Sequence, residues 1–246
     1  MRIIFMGDST MQYNDFSTYP QTGWVQEFSR FLKSDVQILN FAKNGRSTKS
    51  FITENRFAEV LKNACAGDFA IIQFGHNDEK VADKTRYTAP DSEYKENLLF
   101  FCERLKEKGV LPVIFTSIAR RNFGDSGRVQ KSHGDYPQAA LDAAKTAGVP
   151  AVDMERETRA LLDAEGKEKS LRFFMNFAAG LYPQYPDGRE DNTHLRPEGA
   201  YFVSKIAAEH IAKIGDEWEA YKPLSQAILR EEPEKTESLS ALPEEP

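Results

Sequence analysis

The sequence is poor in cysteine and contains no long apolar run. Only 2 of its 246 residues are cysteines, and Cys65 and Cys102 both fall in segments whose pattern predicts helix. We expect both to be small buried apolar residues, because two isolated cysteines suit neither a disulfide framework nor a metal site. No apolar stretch approaches the roughly 18 residues that a membrane span needs, so we expect no membrane partner.

The chain also carries little net charge outside its last residues. Lys and Arg together number 32 and Asp and Glu 38, for a formal charge of −6. Residues 231–246 contain six Glu and one Lys, so most of that charge lies in this short segment. The nearly neutral remainder has no basic stripe, which is not typical of a protein that binds nucleic acid.

The two ends of the chain differ in composition. Residues 1–7 begin directly as an apolar strand, without the charged, apolar and cleavage regions of a secretory signal, so we expect a cytoplasmic protein. Residues 223–246 are rich in Glu, Pro and Ser and have little apolar surface to bury. The sequence therefore predicts one domain over residues 1–222 and a flexible acidic tail over 223–246.

Strand-like and helix-like segments alternate through the body of the chain. Apolar runs predict strands at residues 2–6, 36–41, 69–74, 111–115 and 149–153. Helical spacing of apolar residues predicts helices at 24–33, 92–108, 137–147, 154–164 and 197–213. We expect residues 166–190 to be helical at first and then a long loop. Such alternation is typical of an α/β protein with an open, parallel, doubly wound sheet.

Polar residues follow the first three predicted strands. Ser9, Gly45 and Asn77 come after strands one, two and three, and the carboxyl ends of parallel strands form the edge at which such sheets bind ligands. Much later in the chain, Asp191 precedes His194 by three residues in a predicted loop. A hydroxyl, an imidazole and a carboxylate are the parts of a Ser-His-Asp hydrolase.

Four sequence blocks around these residues resemble the SGNH (GDSL-type) hydrolase family. They are GDSTM (7–11), NFAKNGRSTKSF (40–51), QFGHND (73–78) and YPDGREDNTHLRPEGA (185–200). The sequences of these blocks are most similar to those of the rhamnogalacturonan acetylesterase branch of the carbohydrate esterases. The resemblance implies a single-domain, three-layer α/β/α sandwich with five parallel strands in the flavodoxin-like order 2-1-3-4-5.

The resemblance also implies a role for each matching residue. Ser9 is expected to be the nucleophile, His194 the general base and Asp191 the group that orients His194. The oxyanion hole is expected to consist of the backbone N–H groups of Ser9 and Gly45 and the side-chain amide of Asn77. Neither a cofactor nor a metal is expected, because no His/Cys cluster has metal-ligand spacing.

Five further residues are candidate substrate contacts, each with a structural alternative. Three are arginines, whose guanidinium groups can pair with a uronate carboxylate in a bidentate manner but can equally hold loops in place: Arg46, Arg120 and Arg121. Trp24 is placed either to stack on a sugar or to fill the core. His76 either contacts substrate or supports its neighbour Asn77 from behind.

The predicted function is that of a serine carbohydrate esterase. It would remove O-acetyl groups from plant cell-wall oligosaccharides, with acetylated rhamnogalacturonan fragments as the substrate, through an acetyl-serine intermediate. A cytoplasmic location implies imported oligomers. One alternative is an SGNH esterase of other specificity, such as an acetylxylan esterase, a lipase or a thioesterase. Another is a flavodoxin-like binding protein whose loop Asp8–Thr10 cradles a flavin phosphate, although Asp191 and His194 have no purpose in such a site.

Overall fold

A five-stranded parallel sheet forms the centre of the computed structural model, which describes residues 1–229. Its strands are β1 (Arg2–Gly7), β2 (Gln37–Asn40), β3 (Phe69–Gln73), β4 (Leu111–Phe115) and β5 (Ala151–Val152), in the order β2-β1-β3-β4-β5. Every neighbouring pair in this sheet is parallel. The predicted α/β class and the strand order implied by the resemblance are confirmed.

The central strands are apolar throughout because helices cover both faces of the sheet. Successive side chains of a strand point to opposite faces, so Ile3 and Phe5 of β1 pack into one half of the core and Ile4 and Met6 into the other. All five residues of β3 are buried. This double burial replaces the polar/apolar alternation of a half-exposed strand with continuous apolar runs.

Eight helices within residues 1–229 surround the sheet: α1 (Val25–Phe28), α2 (Thr48–Thr53), α3 (Arg56–Asn63), α4 (Lys95–Glu107), α5 (Tyr136–Ala147), α6 (Met154–Lys169), α7 (Pro197–Glu217) and α8 (Lys222–Gln226). Buried residues of α1, α6, α7 and α8 belong to one half of the core, and those of α2 to α5 belong to the other. No helix in this part of the chain combines the length and apolar composition that a membrane crossing needs.

Two predicted elements are shorter than expected. The helix predicted at 24–33 consists of α1 and a separate 3₁₀ turn at Ser29–Phe31, and the strand predicted at 149–153 pairs only over Ala151–Val152. The helix predicted at 92–108 begins with a wide π-type turn at Pro90–Tyr94, which leads into α4.

The prediction for residues 166–190, helical at first and then a long loop, is correct for the helical start and for the irregular stretch 178–188, but it misses two strands. The segment continues α6 and then forms β6 (Phe174–Phe177), which pairs antiparallel with β7 (Arg189–Leu195). As a result Asp191 and His194 lie on a strand, whereas the sequence indicated a loop. The sequence pattern did not predict β7, because its residues are almost all polar and show no apolar alternation. Its hydrogen-bonded pairing with β6 makes it a strand.

One of the two cysteines is also placed differently from the prediction. Cys102 is buried in α4, as expected, and burial raises the pKa of its thiol to about 12. Cys65 is exposed. Helix α3 ends at Asn63, so Cys65 lies on the turn that follows, where its backbone N–H donates to the Asp68 carboxylate at 2.8 Å.

The body of the fold extends beyond the predicted boundary at residue 222. Residues 223–229 include most of α8, and Leu224 and Ile228 are buried in the same half of the core as α7. The start of the expected tail at 223 is therefore corrected, because these residues do have apolar side chains to bury. The remainder of that tail, residues 230–246, lies outside the described residues.

Candidate active site

Ser9 lies on a tight turn directly after β1. The backbone N–H groups of Met11 and Gln12 donate to the carbonyl oxygen of Asp8 at 3.2 and 3.1 Å, and the Asp8 carboxylate accepts from the backbone and hydroxyl of Thr10, both at 2.9 Å. The turn is close to the sheet because Gly7 has no side chain, and a Cβ there would lie 2.7 Å from the Gln73 carbonyl oxygen. Asp8 thus fixes the turn that presents Ser9.

Ser9, His194 and Asp191 form a continuous chain of hydrogen bonds although 185 residues separate the first two. The Ser9 Oγ lies 2.9 Å from the His194 Nε2, and the His194 Nδ1 lies 2.8 Å from the Asp191 Oδ2. An ionised carboxylate only accepts, so it places the imidazole proton on Nδ1 and leaves Nε2 to accept from the serine hydroxyl. This is the tautomer that a general base needs.

The backbone of β7 holds Asp191 in place. Its Oδ1 accepts from the backbone N–H groups of Thr193 at 2.9 Å and His194 at 3.0 Å. Burial acts to raise the pKa of Asp191, but the hydrogen bonds from His194 and Thr193 outweigh it and lower that pKa well below its ordinary value. Asp191 is therefore charged at any pH near neutrality.

The second block places Gly45 beside the nucleophile turn. The backbone N–H of Asn44 donates to the Gln12 side chain at 2.6 Å, and a capping box between Ser47 and Ser50 starts α2 immediately afterwards. Gly45 has a φ of +76°, in the left-handed region that glycine adopts without strain. The loop thus turns sharply between β2 and α2 and leaves Gly45 on the edge of the same cleft as Ser9.

The third block places Asn77 on the lining of the same cleft as Ser9. Its Nδ2 donates to the Arg46 carbonyl oxygen at 3.1 Å, and its Oδ1 accepts from the Arg86 Nη1 at 3.3 Å. The next residue, Asp78, ties this loop to α2 by accepting from the backbone N–H and hydroxyl of Thr48 at 2.9 and 2.5 Å. Burial raises the pKa of Asp78 to about 7, so this carboxyl gains a proton readily near neutrality.

His76 is almost completely buried behind the nucleophile turn. Its Nδ1 lies 3.3 Å from the Asp8 Oδ2, and its ring meets that of His133 edge-on at 4.5 Å. Burial lowers the pKa of His76 to about 4, so the ring is neutral at the pH of most assays. One edge of the ring reaches the cleft, and its role as a substrate contact stays a prediction.

The structure separates the three candidate arginines. The prediction that Arg121 contacts substrate is wrong, because its buried guanidinium donates hydrogen bonds to the Ser170 hydroxyl, the Asn192 side chain and the Lys167 carbonyl oxygen. The Arg46 side chain is paired with Glu54 at 2.8 Å, and Arg46 is not among the residues that line the cleft. Arg120 does line the cleft, although Glu79 already neutralises it.

Trp24 is a core residue, so its predicted role in sugar stacking is wrong. Its side chain is fully buried, it stacks on Phe115 at 6.2 Å, and its Nε1 donates to the Gln73 Oε1 at 2.9 Å. Gln73 also lies 3.4 Å from the Thr10 hydroxyl and donates to the Thr116 carbonyl oxygen. Trp24 thus reaches the site only indirectly, through a buried amide that braces the nucleophile turn.

The hydrogen-bonded chain opens into a cleft of about 480 Å³. Apart from one glycine, its lining residues are all of polar or charged type, and no Val, Leu, Ile, Met, Phe, Tyr or Trp is among them. Sequence reasoning missed four of these residues: Gln21, Asn44, Lys80 and Thr193. Lys80 follows the QFGHND block by two residues, which was the available signal. Partial desolvation, together with the nearby Arg86 and Arg120, lowers the pKa of the Lys80 ammonium.

The arrangement can carry out acyl transfer with side chains alone. It supplies a hydroxyl, a base in the correct tautomer, a partly buried carboxylate and an amide donor in the same cleft. Among residues 1–229, no group of three or more His, Cys, Asp or Glu side chains is placed to hold a metal ion.

Comparisons with known proteins agree with this geometry. The model of the GDSL-like lipase/acylhydrolase family matches residues 5–201. The chain is 39% identical over 215 residues to rhamnogalacturonan acetylesterase RhgT of Bacillus subtilis (strain 168), which covers 87% of this chain and 91% of RhgT. It is 31% identical over 229 residues to the probable rhamnogalacturonan acetylesterase YesY of the same strain, covering 93% and 98%.

A solved structure with the same fold is the Bacillus subtilis protein YxiM, at a TM-score of 0.75 and 23% identity. The alignment covers 87% of this chain but 57% of that one, so the chain spans little more than half of YxiM. The family match extends over all four sequence blocks and every residue of the hydrogen-bonded chain. The chain belongs to the GDSL-like lipase/acylhydrolase family.

Proposed function

We propose that this protein is a serine esterase that removes O-acetyl groups from plant cell-wall oligosaccharides, with acetylated rhamnogalacturonan fragments as its substrate. The observation that carries the proposal is the hydrogen-bonded chain from Ser9 through His194 to Asp191. The names of RhgT and YesY, both matched over most of their length, support the choice of substrate.

The geometry supports a two-step reaction. The Ser9 Oγ attacks the acetyl carbonyl carbon while the His194 Nε2 takes the hydroxyl proton. The negative charge that develops on the carbonyl oxygen is stabilised by donors on the turn of Ser9, at Gly45 and at Asn77. His194 then gives the proton to the departing sugar oxygen, and a water molecule, activated by the same imidazole, hydrolyses the acetyl-serine.

The lining of the cleft favours a sugar over a long acyl chain. A lipase needs an apolar channel for its fatty acid, because pockets that bind such groups are lined by hydrocarbon side chains. Here no residue with a hydrocarbon side chain lines the cleft, and side chains such as Gln21 and Thr193 match the hydroxyl groups of a saccharide. A phosphate cradle is also disfavoured, since the Ser9 hydroxyl is already bonded to His194.

Lys80 is the best placed cation for a uronate carboxylate. It lines the cleft, it is exposed, and it forms no ion pair with any carboxylate of residues 1–229. Arg120 is already paired, which leaves Lys80 as the charge available to a ligand. We expect Lys80→Gln to lower kcat/KM for acetylated uronate oligomers by up to about fivefold and to spare acetylated xylo-oligosaccharides, since one exposed charge pair contributes up to roughly 1 kcal/mol. Lys84→Gln, also exposed, is the matched control.

The decisive test is acetate release from a panel of acetylated oligosaccharides. We expect the wild type to deacetylate rhamnogalacturonan oligomers faster than xylan oligomers. Ser9→Ala should lose kcat by several orders of magnitude, up to roughly a million-fold, with an unchanged fold. A Ser9→Ala variant with more than about a tenth of the wild-type rate would refute the proposed nucleophile. The proposal retains the cytoplasmic location expected from the sequence, which cell fractionation with an antibody tests.

A further inference from the structure

The side-chain amide of Asn77 uses two of its three hydrogen-bonding groups within the protein. One N–H donates to the Arg46 carbonyl oxygen and the Oδ1 accepts from the Arg86 guanidinium. Within residues 1–229, the second N–H has no acceptor, and Asn77 lines the cleft that contains Ser9. This free N–H is the one available to a developing oxyanion.

Two neighbours of opposite character decide which way the amide faces. A backbone carbonyl oxygen only accepts and a guanidinium only donates, so Arg46 selects the nitrogen of the amide and Arg86 selects its oxygen. If the amide were reversed, both contacts would become repulsive. Its oxygen would then also replace the N–H that faces the cleft, which would destabilise an oxyanion.

Arg86 is itself held rigidly. Its Nε donates to the Asp83 Oδ2 at 2.6 Å, and its backbone N–H donates to the Asp83 carbonyl oxygen at 3.0 Å. Asp83 in turn accepts from the backbone N–H and the hydroxyl of Thr85, at 3.0 and 2.6 Å. A Cβ built on Gly45 would lie 3.7 Å from the Arg86 Nη1, so the guanidinium borders both Gly45 and Asn77.

We propose that Arg86 is a positioning residue that acts on the reaction through Asn77. It fixes the orientation of the amide and, as a cation bonded to the amide oxygen, polarises the opposite N–H into a stronger donor. Arg86 lies outside the four sequence blocks that resemble the SGNH hydrolase family, eight residues beyond the end of QFGHND. The inference rests on the proposed serine-esterase function, since it requires an oxyanion opposite Ser9.

The test is a double-mutant cycle measured with 4-nitrophenyl acetate. Removal of one oxyanion donor costs about 100- to 1,000-fold in kcat. Loss of its orientation should cost part of that, so we expect Arg86→Met to lower kcat by about 10- to 100-fold and to change KM less than about twofold. In an Asn77→Ala background the same substitution should change kcat less than about twofold, because no amide remains to be positioned.

Arg86→Lys provides a second variant that keeps the charge but loses the planar fork, so its kcat should lie between those of wild type and Arg86→Met. Arg104→Met is the matched control. Like Arg86, Arg104 forms an ion pair with a carboxylate three residues away, Glu107, but this pair lies on an exposed face of α4, so its loss should leave kcat unchanged. Thermal midpoints of all variants report whether they fold.

Three results would overturn the inference: wild-type kcat in both Arg86 variants, a rise in KM at constant kcat, or an equal loss of kcat with and without Asn77. The last result would mean that Arg86 acts independently of the amide. Ser9→Ala separates the failure of this inference from the failure of the proposed function. If Ser9→Ala remains active, the esterase proposal itself fails, whereas an inactive Ser9→Ala beside a fully active Arg86→Met contradicts only the role of Arg86.

Discussion

Asp191→Asn is the substitution whose outcome the geometry determines most fully. The new amide has one oxygen and one NH₂ group to place where the carboxylate had two oxygens. The first position faces the backbone N–H groups of Thr193 and His194, and the second faces the His194 Nδ1 and the guanidinium of Arg189, 3.0 Å away. An oxygen in the first position satisfies two fixed backbone donors. An oxygen in the second satisfies only one fixed partner and an exposed, movable arginine.

The two backbone donors should therefore win, which places the NH₂ group opposite the His194 Nδ1. That nitrogen must then accept a hydrogen bond, so the imidazole proton moves to Nε2 and points at the Ser9 hydroxyl. A protonated Nε2 cannot take the serine proton. In Ser-His-Asp hydrolases this tautomer lowers kcat by about 10⁴, or roughly 5.5 kcal/mol of barrier. We expect a loss of that size in Asp191→Asn, with KM changed little because no substrate contact is removed.

The assay is steady-state hydrolysis of 4-nitrophenyl acetate, with the thermal midpoint measured on the same preparations. Glu190→Gln is the matched control, since it removes a neighbouring exposed carboxylate of β7 and should retain wild-type kcat. An Asp191→Asn variant that retained more than about a tenth of the wild-type kcat would refute the reasoning. It would show either that the amide adopts the other orientation or that His194 is not the base.

Three further predictions concern other parts of the chain. Asn77→Ala should lower kcat by about 100- to 1,000-fold at nearly constant KM, and a raised KM at full kcat would instead make Asn77 a substrate contact. Burial raises the pKa of Asp78 to about 7, against about 3.9 in an unfolded chain. Between about pH 3.9 and pH 7 the folded protein therefore binds one proton more than the unfolded chain, so its free energy of unfolding falls as the pH rises through this range. Asp78→Asn has no carboxyl to titrate, so the difference in thermal midpoint, variant minus wild type, should be larger at pH 8 than at pH 5. The same difference at both pH values would contradict the raised pKa. Deletion of residues 231–246 should leave kcat and the thermal midpoint nearly unchanged, because the segment has few apolar groups, and a drop of several degrees would contradict this.

Local patterns in the sequence were sufficient for the sheet and for the three loops at its edge. The strands β1, β3 and β4 are continuous apolar runs because both faces are covered, and such runs are visible without any tertiary information. Since parallel strands end at the same edge, the positions of Ser9, Gly45 and Asn77 after successive strands already implied that they lie near one another.

Residues whose role depends on distant partners could not be predicted in this way. Trp24 and Arg121 are chemically suitable for sugar and uronate binding, but contacts with residues far along the chain bury both of them. Arg86 has no pattern of its own, and its importance appears only through its contact with the Asn77 oxygen. Burial and partner choice are properties of the packed structure, so a single sequence cannot rank chemically equivalent side chains.

The sequence by itself determined the class of fold, the family and the identity of the three residues of the hydrogen-bonded chain, because motif and periodicity are local. Only the tertiary structure decided that Asp191 and His194 lie on a strand, and that the Nε2 of His194 comes to 2.9 Å from the Ser9 hydroxyl. The pairing of β7 with β6 brings residues 191–194 to the sheet edge, although β7 has too few apolar side chains to reveal itself as a strand. Backbone pairing across many residues supplies that information, and local composition does not record it.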